Sequence, residues 1–224
     1  MKRLDRLIAE RTGFGRKECA KLIRQGRVRV RGDVVLNRAV KCAEDEIISI
    51  DEHIVEALPR IVVFHKPAGM LSTAEDPMGR ECVGDVLPHR FHLVGRLDME
   101  TRGLILFSSD GALTQWLLHP KRAYEREYWA EVDGTPSEDL KIQLEQGVQT
   151  GVGLAKGRLI EQGDNWVRLI MTEGKNRIVR RMLNNVGLPV VDLFRLRFGP
   201  FELNDLSEGE IRTASFDELQ QLEK

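Results

Sequence analysis

Asp98 is the acidic residue whose surroundings most invite chemistry. It closes Gly95-Arg96-Leu97-Asp98, stands three residues before Thr101, and precedes Gly103-Leu104-Ile105-Leu106-Phe107-Ser108-Ser109-Asp110-Gly111, whose apolar start reads as a buried strand. A carboxylate there is either a turn or helix cap or, ionised beside cations, a nucleophile or base. The cations lie farther on, in Glu173-Gly174-Lys175-Asn176-Arg177-Ile178-Val179-Arg180-Arg181-Met182-Leu183-Asn184-Asn185-Val186-Gly187. On a helical wheel Val179, Met182, Leu183 and Val186 form a core stripe, Arg177, Arg181 and Asn184 take the opposite face, and Arg180 lies on the flank. Lys175, Arg177, Arg180 and Arg181 fall within seven positions. That density suits phosphate binding or a buried carboxylate partner, and equally a basic surface helix paired with local acids.

The elements that must position these groups begin near Arg60. Ile61-Val62-Val63-Phe64-His65 reads as a short buried strand that stops at Lys66-Pro67-Ala68-Gly69, a turn set by proline and glycine. Asp110 or Ser109 caps a helix bearing Leu113, Trp116 and Leu117, which Pro120 ends. Residues 124–132 alternate like a strand, and residues 166–171 form another. Gly187 closes the basic helix and Pro189 prevents its return. Strands and separated helices in this mixture predict an α+β fold.

With 224 residues, 42% of them hydrophobic and 31% charged, the chain is a folded protein with material for one large domain or for a small one plus a medium one. No apolar run approaches the roughly 20 residues that span a bilayer, and Met1-Lys2-Arg3-Leu4-Asp5 lacks the apolar segment of a secretion signal, so a cytoplasmic protein is expected. Cys19, Cys42 and Cys82 are odd in number and widely spaced, which predicts reduced thiols. His89 and His92 could share a helical face, yet no third ligand accompanies them, and no metal site is expected. Gly151-Val152-Gly153-Leu154-Ala155-Lys156-Gly157 has the wrong spacing for a phosphate loop and reads as a hairpin. No cofactor is implied.

A near-zero net charge conceals an asymmetry. Residues 1–50 hold 13 Lys and Arg against 7 Asp and Glu, so the first fifty residues form a basic module. Leu4, Leu7 and Ile8 share one face of a first helix, Gly13 and Gly15 punctuate it, and a second helix of residues 16–25 packs through Cys19, Ala20, Leu22 and Ile23. Arg27-Val28-Arg29-Val30-Arg31 then alternates as a strand that buries two valines and presents three guanidinium groups. Their mutual repulsion would be relieved by bound phosphate, which points to nucleic acid. Asp51-Glu52-His53-Ile54-Val55-Glu56-Ala57-Leu58-Pro59 breaks both periodicities and reads as a linker, dividing the chain into 1–50, 51–59 and 60–224.

Residues 3–50 resemble the S-four RNA-binding domain, named after a ribosomal protein. The likeness rests on Leu4-Asp5 with Leu7, Arg16, Leu22-Ile23 with Gly26, and Val28-Arg29-Val30-Arg31-Gly32. It departs at Gly15, where a serine is usual, and at Arg31, where an asparagine is usual. Residues 60–219 resemble the RsuA-like branch of RNA pseudouridine synthases. That likeness is carried by the Lys66-Pro67-x-Gly69 turn, Gly95-Arg96-Leu97-Asp98 with Thr101, Gly103-Leu104 and Asp110-Gly111, Glu173-Gly174-Lys175-Asn176-Arg177 through Arg180-Arg181-Met182, Gly199-Pro200, and Leu206-x-x-Gly209-Glu210-x-Arg212.

The second resemblance implies a mixed, largely antiparallel sheet flanked by helices, and isomerisation of a uridine in ribosomal RNA. Asp98 matches the family's catalytic aspartate; it could attack ribose or base, or deprotonate the sugar. Arg180 matches the basic partner of that aspartate, and Tyr128, in Arg126-Glu127-Tyr128, the aromatic residue that stacks on the target base. Arg96 is placed to contact backbone or fill the gap left by an extracted nucleotide. RNA contact is expected from Arg16, Lys17, Lys21, Arg24, Arg27, Arg29 and Arg31 in the first module, and from Lys66, Arg96, Lys175, Arg177 and Arg181 in the second, with Lys66 framing the site. Ile178 stands where many relatives have glutamine.

Asn176-Arg177 after Glu173-Gly174-Lys175 looks more like the members that modify large-subunit RNA, favouring 23S over 16S. A monomer acting on ribosomal RNA or a ribosomal-subunit precursor, away from membranes, is the reading. Its rivals are a 16S or transfer-RNA target, or a noncatalytic RNA-binding or ribosome-assembly protein.

Overall fold

Alternating apolar residues decide where each strand lies. The computed structural model describes residues 1–12, 14–56, 58–87 and 91–222, so Gly13, Ala57, His89 and Arg90 lie outside the described residues. The chain divides into two units, Met1–Arg60 and Ile61–Lys224.

In the first unit, helices Leu4–Thr12 and Arg16–Arg24 pack through Leu4, Leu7, Ile8, Cys19, Leu22 and Ile23 onto Val28 and Ile48. Strands Asp33–Val34, Val28–Val30, Ile48–Ile50 and His53–Ile54 form an antiparallel sheet in that order. The expected linker 51–59 is corrected at its start. His53–Ile54 pairs with Ser49 and Ile50 across a turn in which Asp51 and Glu52 both take positive φ. This pairing along one edge of the sheet joins the segment to the first unit.

The second unit is built on a mixed, largely antiparallel sheet, an α+β fold as expected. Its main path runs Arg158–Gln162, Trp166–Met171, Arg126–Val132, Val190–Phe198, Arg102–Ser108, Ile61–Lys66 and Ile211–Thr213. Only Val190–Phe198 and Arg102–Ser108 run parallel, with Phe194 opposite Arg102 and Arg195 opposite Gly103. The central strands are covered on both faces. Val62, Phe64, Ile105 and Phe107 join Val179, Met182 and Leu183 of helix Ile178–Asn185 and Leu140 and Leu144 of helix Leu140–Gln146 in one core. Ile61, Val63, Leu104 and Leu106 join Leu117 of helix Gly111–Leu118 in another. Burial on two sides explains why residues 103–107 read as one unbroken apolar run.

Local signals act as the sequence predicts. Asp110 caps its helix, its Oδ1 accepting from the Ala112 amide at 2.8 Å. The hairpin expected over residues 151–157 lies earlier, over 148–155, with Val148–Thr150 against Gly153–Ala155. His92 begins a strand, His92–Val94, and His89 lies outside the described residues. All three cysteines are buried and free. Among the described residues no helix is long and apolar enough to cross a membrane.

Candidate active site

Asp98 lies in the turn that feeds strand Arg102–Ser108, and every neighbour in that turn is tied down. Ser72 Oγ donates to the Leu97 carbonyl at 2.7 Å and accepts from the Leu97 amide at 3.1 Å. The Gly69 amide donates to the Met99 carbonyl at 2.8 Å, a contact available because Gly69 takes φ +88°, where a side chain would be strained. The Thr101 amide closes on the Asp98 carbonyl at 3.1 Å. Beneath them Lys66 Nζ donates to the carbonyls of Pro67, Met99 and Thr101 at 2.8, 3.1 and 2.8 Å. The turn of residues 66–69 and the Asp98 turn are thus one structure, and the Asp98 carboxylate projects from it with a quarter of its surface exposed.

Lys66 corrects an expectation. It is fully buried on a strand buried along its whole length, so it frames the site and does not touch RNA. Burial pushes its ammonium down to about 8, against the opposing pull of Glu100, Asp98 and Glu208.

Arg180 is not the cation nearest Asp98. Its Nη2 donates to Thr101 Oγ1 at 3.4 Å and its Nη1 to the Val190 carbonyl at 3.2 Å. Arg177 makes the contact instead, with Nη1 at 3.9 Å from Asp98 Oδ2 and 2.7 Å from Glu100 Oε1. Arg177 sits at the N-cap of helix Ile178–Asn185 in the left-handed region, φ +51°, which turns the side chain of a non-glycine residue back toward the acids at some cost. Glu100 is held below the usual carboxylate range by a backbone amide and by Arg177. Lys175 pairs with Glu173 at 2.8 Å, and Arg181 bonds the carbonyl and side chain of Asn176. Arg96 is exposed and free of ion pairs among the described residues.

These side chains surround a cavity of about 950 Å³, lined by Asp98, Arg96, Lys175 and Arg177 above and by Tyr128 and Arg195 from the sheet. Arg180 is absent from the lining. Tyr128 is buried, and its Cα partner across the antiparallel pair Arg126–Val132 and Val190–Phe198 is Arg195. The sequence reading passed over Arg195, Arg126 and Ser72. An arginine at position 195 inside a strand of Leu193, Phe194, Leu196 and Phe198 was the available signal, since a cation within an apolar strand needs a reason.

In the first unit the expected RNA contacts fall into two groups. Lys17, Lys21 and Arg24 are exposed and form no ion pair among the described residues. Arg16 pairs with buried Asp5 at 3.2 Å, Arg27 with Asp51, and Arg31 with Glu46 at 2.6 Å, while Arg29 donates to the Gly32 carbonyl. The presumed repulsion among the strand arginines is therefore corrected: Asp51 and Glu46 offset two of the three charges, and Arg31 leaves the strand at φ +53°.

Residues 60–185, which hold the Asp98 turn, Tyr128 and Arg180, match the model of the family described as RNA pseudouridylate synthase. The chain belongs to this family. As an RNA pseudouridine synthase it is an isomerase, and its family domain follows a smaller N-terminal unit. It is similar to the Yersinia pestis protein described as ribosomal large subunit pseudouridine synthase B, with 40% identity over 218 residues, 90% of this chain and 68% of the relative. The Bacillus subtilis (strain 168) protein of the same description is 34% identical over 233 residues, 99% of this chain and 96% of the relative. Among solved structures, a crystal structure described as a pseudouridylate synthase aligns with a TM-score of 0.68 at 27% identity, covering 99% of this synthase and 100% of that chain. The resemblance to the RsuA-like branch is borne out by these relatives. Arg195 lies beyond the residues that the family model spans.

Proposed function

We propose that this synthase converts a specific uridine of large-subunit ribosomal RNA to pseudouridine, with Asp98 as the reacting carboxylate. The observation that carries the reading is the pinned Asp98 turn facing the same cavity as Tyr128. Isomerisation breaks the bond from N1 of the base to C1′ of the ribose, turns the base, joins C5 to C1′, and releases the C5 proton. Asp98 can attack C1′, add to C6 of the base, or take the C2′ proton, and each role needs an ionised, fixed carboxylate. Tyr128 supplies a stacking face for the extracted base. Arg96 contacts the RNA backbone or fills the space the nucleotide leaves. The target is assigned to the large subunit because the relatives above carry that description. Lys17, Lys21 and Arg24 dock the S-four-like first unit on RNA. The synthase acts as a cytoplasmic monomer on ribosomal RNA or a subunit precursor.

Two measurements test this. Mapping pseudouridine in ribosomal RNA from cells with and without the protein should show one missing site in the large subunit. Asp98→Asn should abolish tritium release from C5 of labelled uridine while RNA affinity stays level or rises, because one negative charge is removed without a change of shape. Release near the wild-type rate would remove Asp98 from the chemistry.

A further inference from the structure

Among the described residues three cations are buried, Lys66, Arg11 and Arg195. Lys66 Nζ donates to three carbonyls, and Arg11 donates through Nη1 and Nη2 to those of Glu44, Glu46 and Val55 while its Nε has no partner. Arg195 alone of the three lines the cavity. It is 2% exposed, its Nε donates to the Leu104 carbonyl at 2.7 Å, and its Nη2 has no partner among the described residues. A guanidinium has five donors and Arg195 lines the cavity, so donors other than Nε, which is committed to Leu104, remain for a ligand there.

Arg126 stands beside it without a carboxylate of its own among the described residues. Its Nη1 donates to the Tyr124 and Thr172 carbonyls, its guanidinium carbon lies 4.6 Å from the Phe198 ring centroid, and that of Arg195 lies 5.6 Å from the same ring. Burial and the charge of Arg195 lower the Arg126 pKa. Elsewhere on this sheet arginines are neutralised: Arg197 by Glu125 and Glu127, Arg168 by Glu127, and Arg102 by Asp192 and Glu208. A buried and a half-buried guanidinium around one ring, with no acid paired to either among the described residues, make a place prepared for negative charge. Gly103 fixes its geometry. At φ +110° a Cβ there would lie 2.4 Å from the Arg195 carbonyl oxygen, so only glycine lets the parallel strands close on Arg195.

We infer that Arg195 is a further catalytic residue, whose cavity-facing edge donates to a carbonyl oxygen of the target uracil and stabilises the negative charge the base acquires. This rests on the pseudouridine synthase reading above. When the bond from N1 to C1′ breaks, its electron pair stays with the base, and C1′ is satisfied by the Asp98 carboxylate or by loss of the C2′ proton to it. Addition of Asp98 to C6 likewise pushes an electron pair onto a base oxygen. All routes place an anion on the base in the cavity that Tyr128 and Arg195 both line, and with uridine the charge is discharged when C5 joins C1′ and its proton leaves. Arg126, which lines the same cavity, adds positive potential.

The test compares single-turnover rates of wild type, Arg195→Gln and Arg126→Gln at saturating large-subunit ribosomal RNA transcribed with uridine or with 5-fluorouridine. The rearranged nucleoside, its base joined to C1′ through C5, is counted after nuclease digestion; with 5-fluorouridine no C5 proton can leave, so that product keeps fluorine on C5 and adds water across C6 and N1. Fluorine at C5 makes the base a better carrier of negative charge, so a donor that serves the anion matters less. With uridine, Arg195→Gln should lose about 100-fold in rate, the order found for one donor to a developing oxyanion, with RNA affinity unchanged. The deficit should shrink severalfold with 5-fluorouridine, and Arg126→Gln should show the same trend with smaller losses. Equal deficits on both RNAs would mark a structural role and overturn the inference. So would an unchanged rate, or a loss confined to affinity, which would place a phosphate at Arg195. If Arg195→Gln does not fold, Arg195→Lys, which keeps charge with fewer donors, carries the same comparison. A wild-type protein that forms no pseudouridine would overturn the functional reading itself and this inference with it.

Discussion

Arg180 holds Asp98 through Thr101. The guanidinium donates to a hydroxyl whose own residue closes the Asp98 turn, and it also spans to Val190 at the head of strand Val190–Phe198. Thr101 is 1% exposed, so removing its partner leaves a buried hydroxyl to find another. Arg180→Ala should therefore lower the single-turnover rate by about 100-fold, the cost of a carboxylate displaced by about an ångström, with RNA affinity nearly unchanged. Arg180→Lys should recover part of it. A wild-type rate in Arg180→Ala at saturating RNA would return Arg180 to the surface of its helix.

Arg177 carries strain that its neighbours do not. Its left-handed backbone suits glycine, whereas its side chain serves Glu100 and Asp98. Arg177→Gly and Arg177→Ala both delete the cation, yet the glycine variant should be the more stable by about 1 kcal/mol in urea unfolding, the penalty of an L-residue in that region. Each should reduce the salt dependence of RNA binding by less than one unit of slope, because Glu100 already pairs with Arg177 before RNA arrives. Equal stabilities would mean that the backbone relaxes there at no cost.

Much of this site was legible because short motifs are also short structures. The Lys66-Pro67-x-Gly69 turn and the Asp98 turn were readable as separate signals, and the bonds from Gly69 and Lys66 to Met99 explain why they occur together. The core stripe of Val179, Met182 and Leu183 and the Asp110 cap follow from periodicity and local hydrogen bonding alone. What escaped depends on long-range pairing. No local pattern sets Arg195 across from Tyr128, nor gives Arg27 and Arg31 to Asp51 and Glu46, since those partners are chosen by strand register. Helix Leu140–Gln146 escaped too, because its core contacts are only Leu140 and Leu144.

Lys66 links the site to pH. Its pKa falls from the ordinary 10.5 to about 8, so between those values the unfolded chain binds more protons than the folded one. Stability then gains from Lys66 as pH rises from about 8 to about 10.5, and below pH 8 the buried charge is a standing cost. The urea midpoint of wild type relative to Lys66→Met should accordingly increase between pH 7.5 and pH 10, by about the amount a shift of this size supplies. A difference that stays flat across that range would show that the three carbonyls hold the ammonium without any proton linkage.

The split among the first unit's cations makes the most direct prediction about RNA docking. Lys17, Lys21 and Arg24 follow one another at i, i+4 and i+7, so they share one helix face, and no acid neutralises them among the described residues. Arg27 and Arg31 are already paired, and RNA must displace Asp51 and Glu46 to reach them. Each phosphate neutralised by a free cation releases condensed counterions and adds about 0.7 to 0.9 to the slope of log affinity against log salt. The triple variant Lys17→Gln, Lys21→Gln, Arg24→Gln should therefore lose about two units of slope in a filter-binding titration with large-subunit ribosomal RNA. The double variant Arg27→Gln, Arg31→Gln should lose less than one unit. The isolated rate at saturating RNA should be unchanged in the triple variant, because docking and chemistry use different cations. A larger loss in the double variant would mean that RNA opens the Arg27 and Arg31 pairs and docks on the strand face.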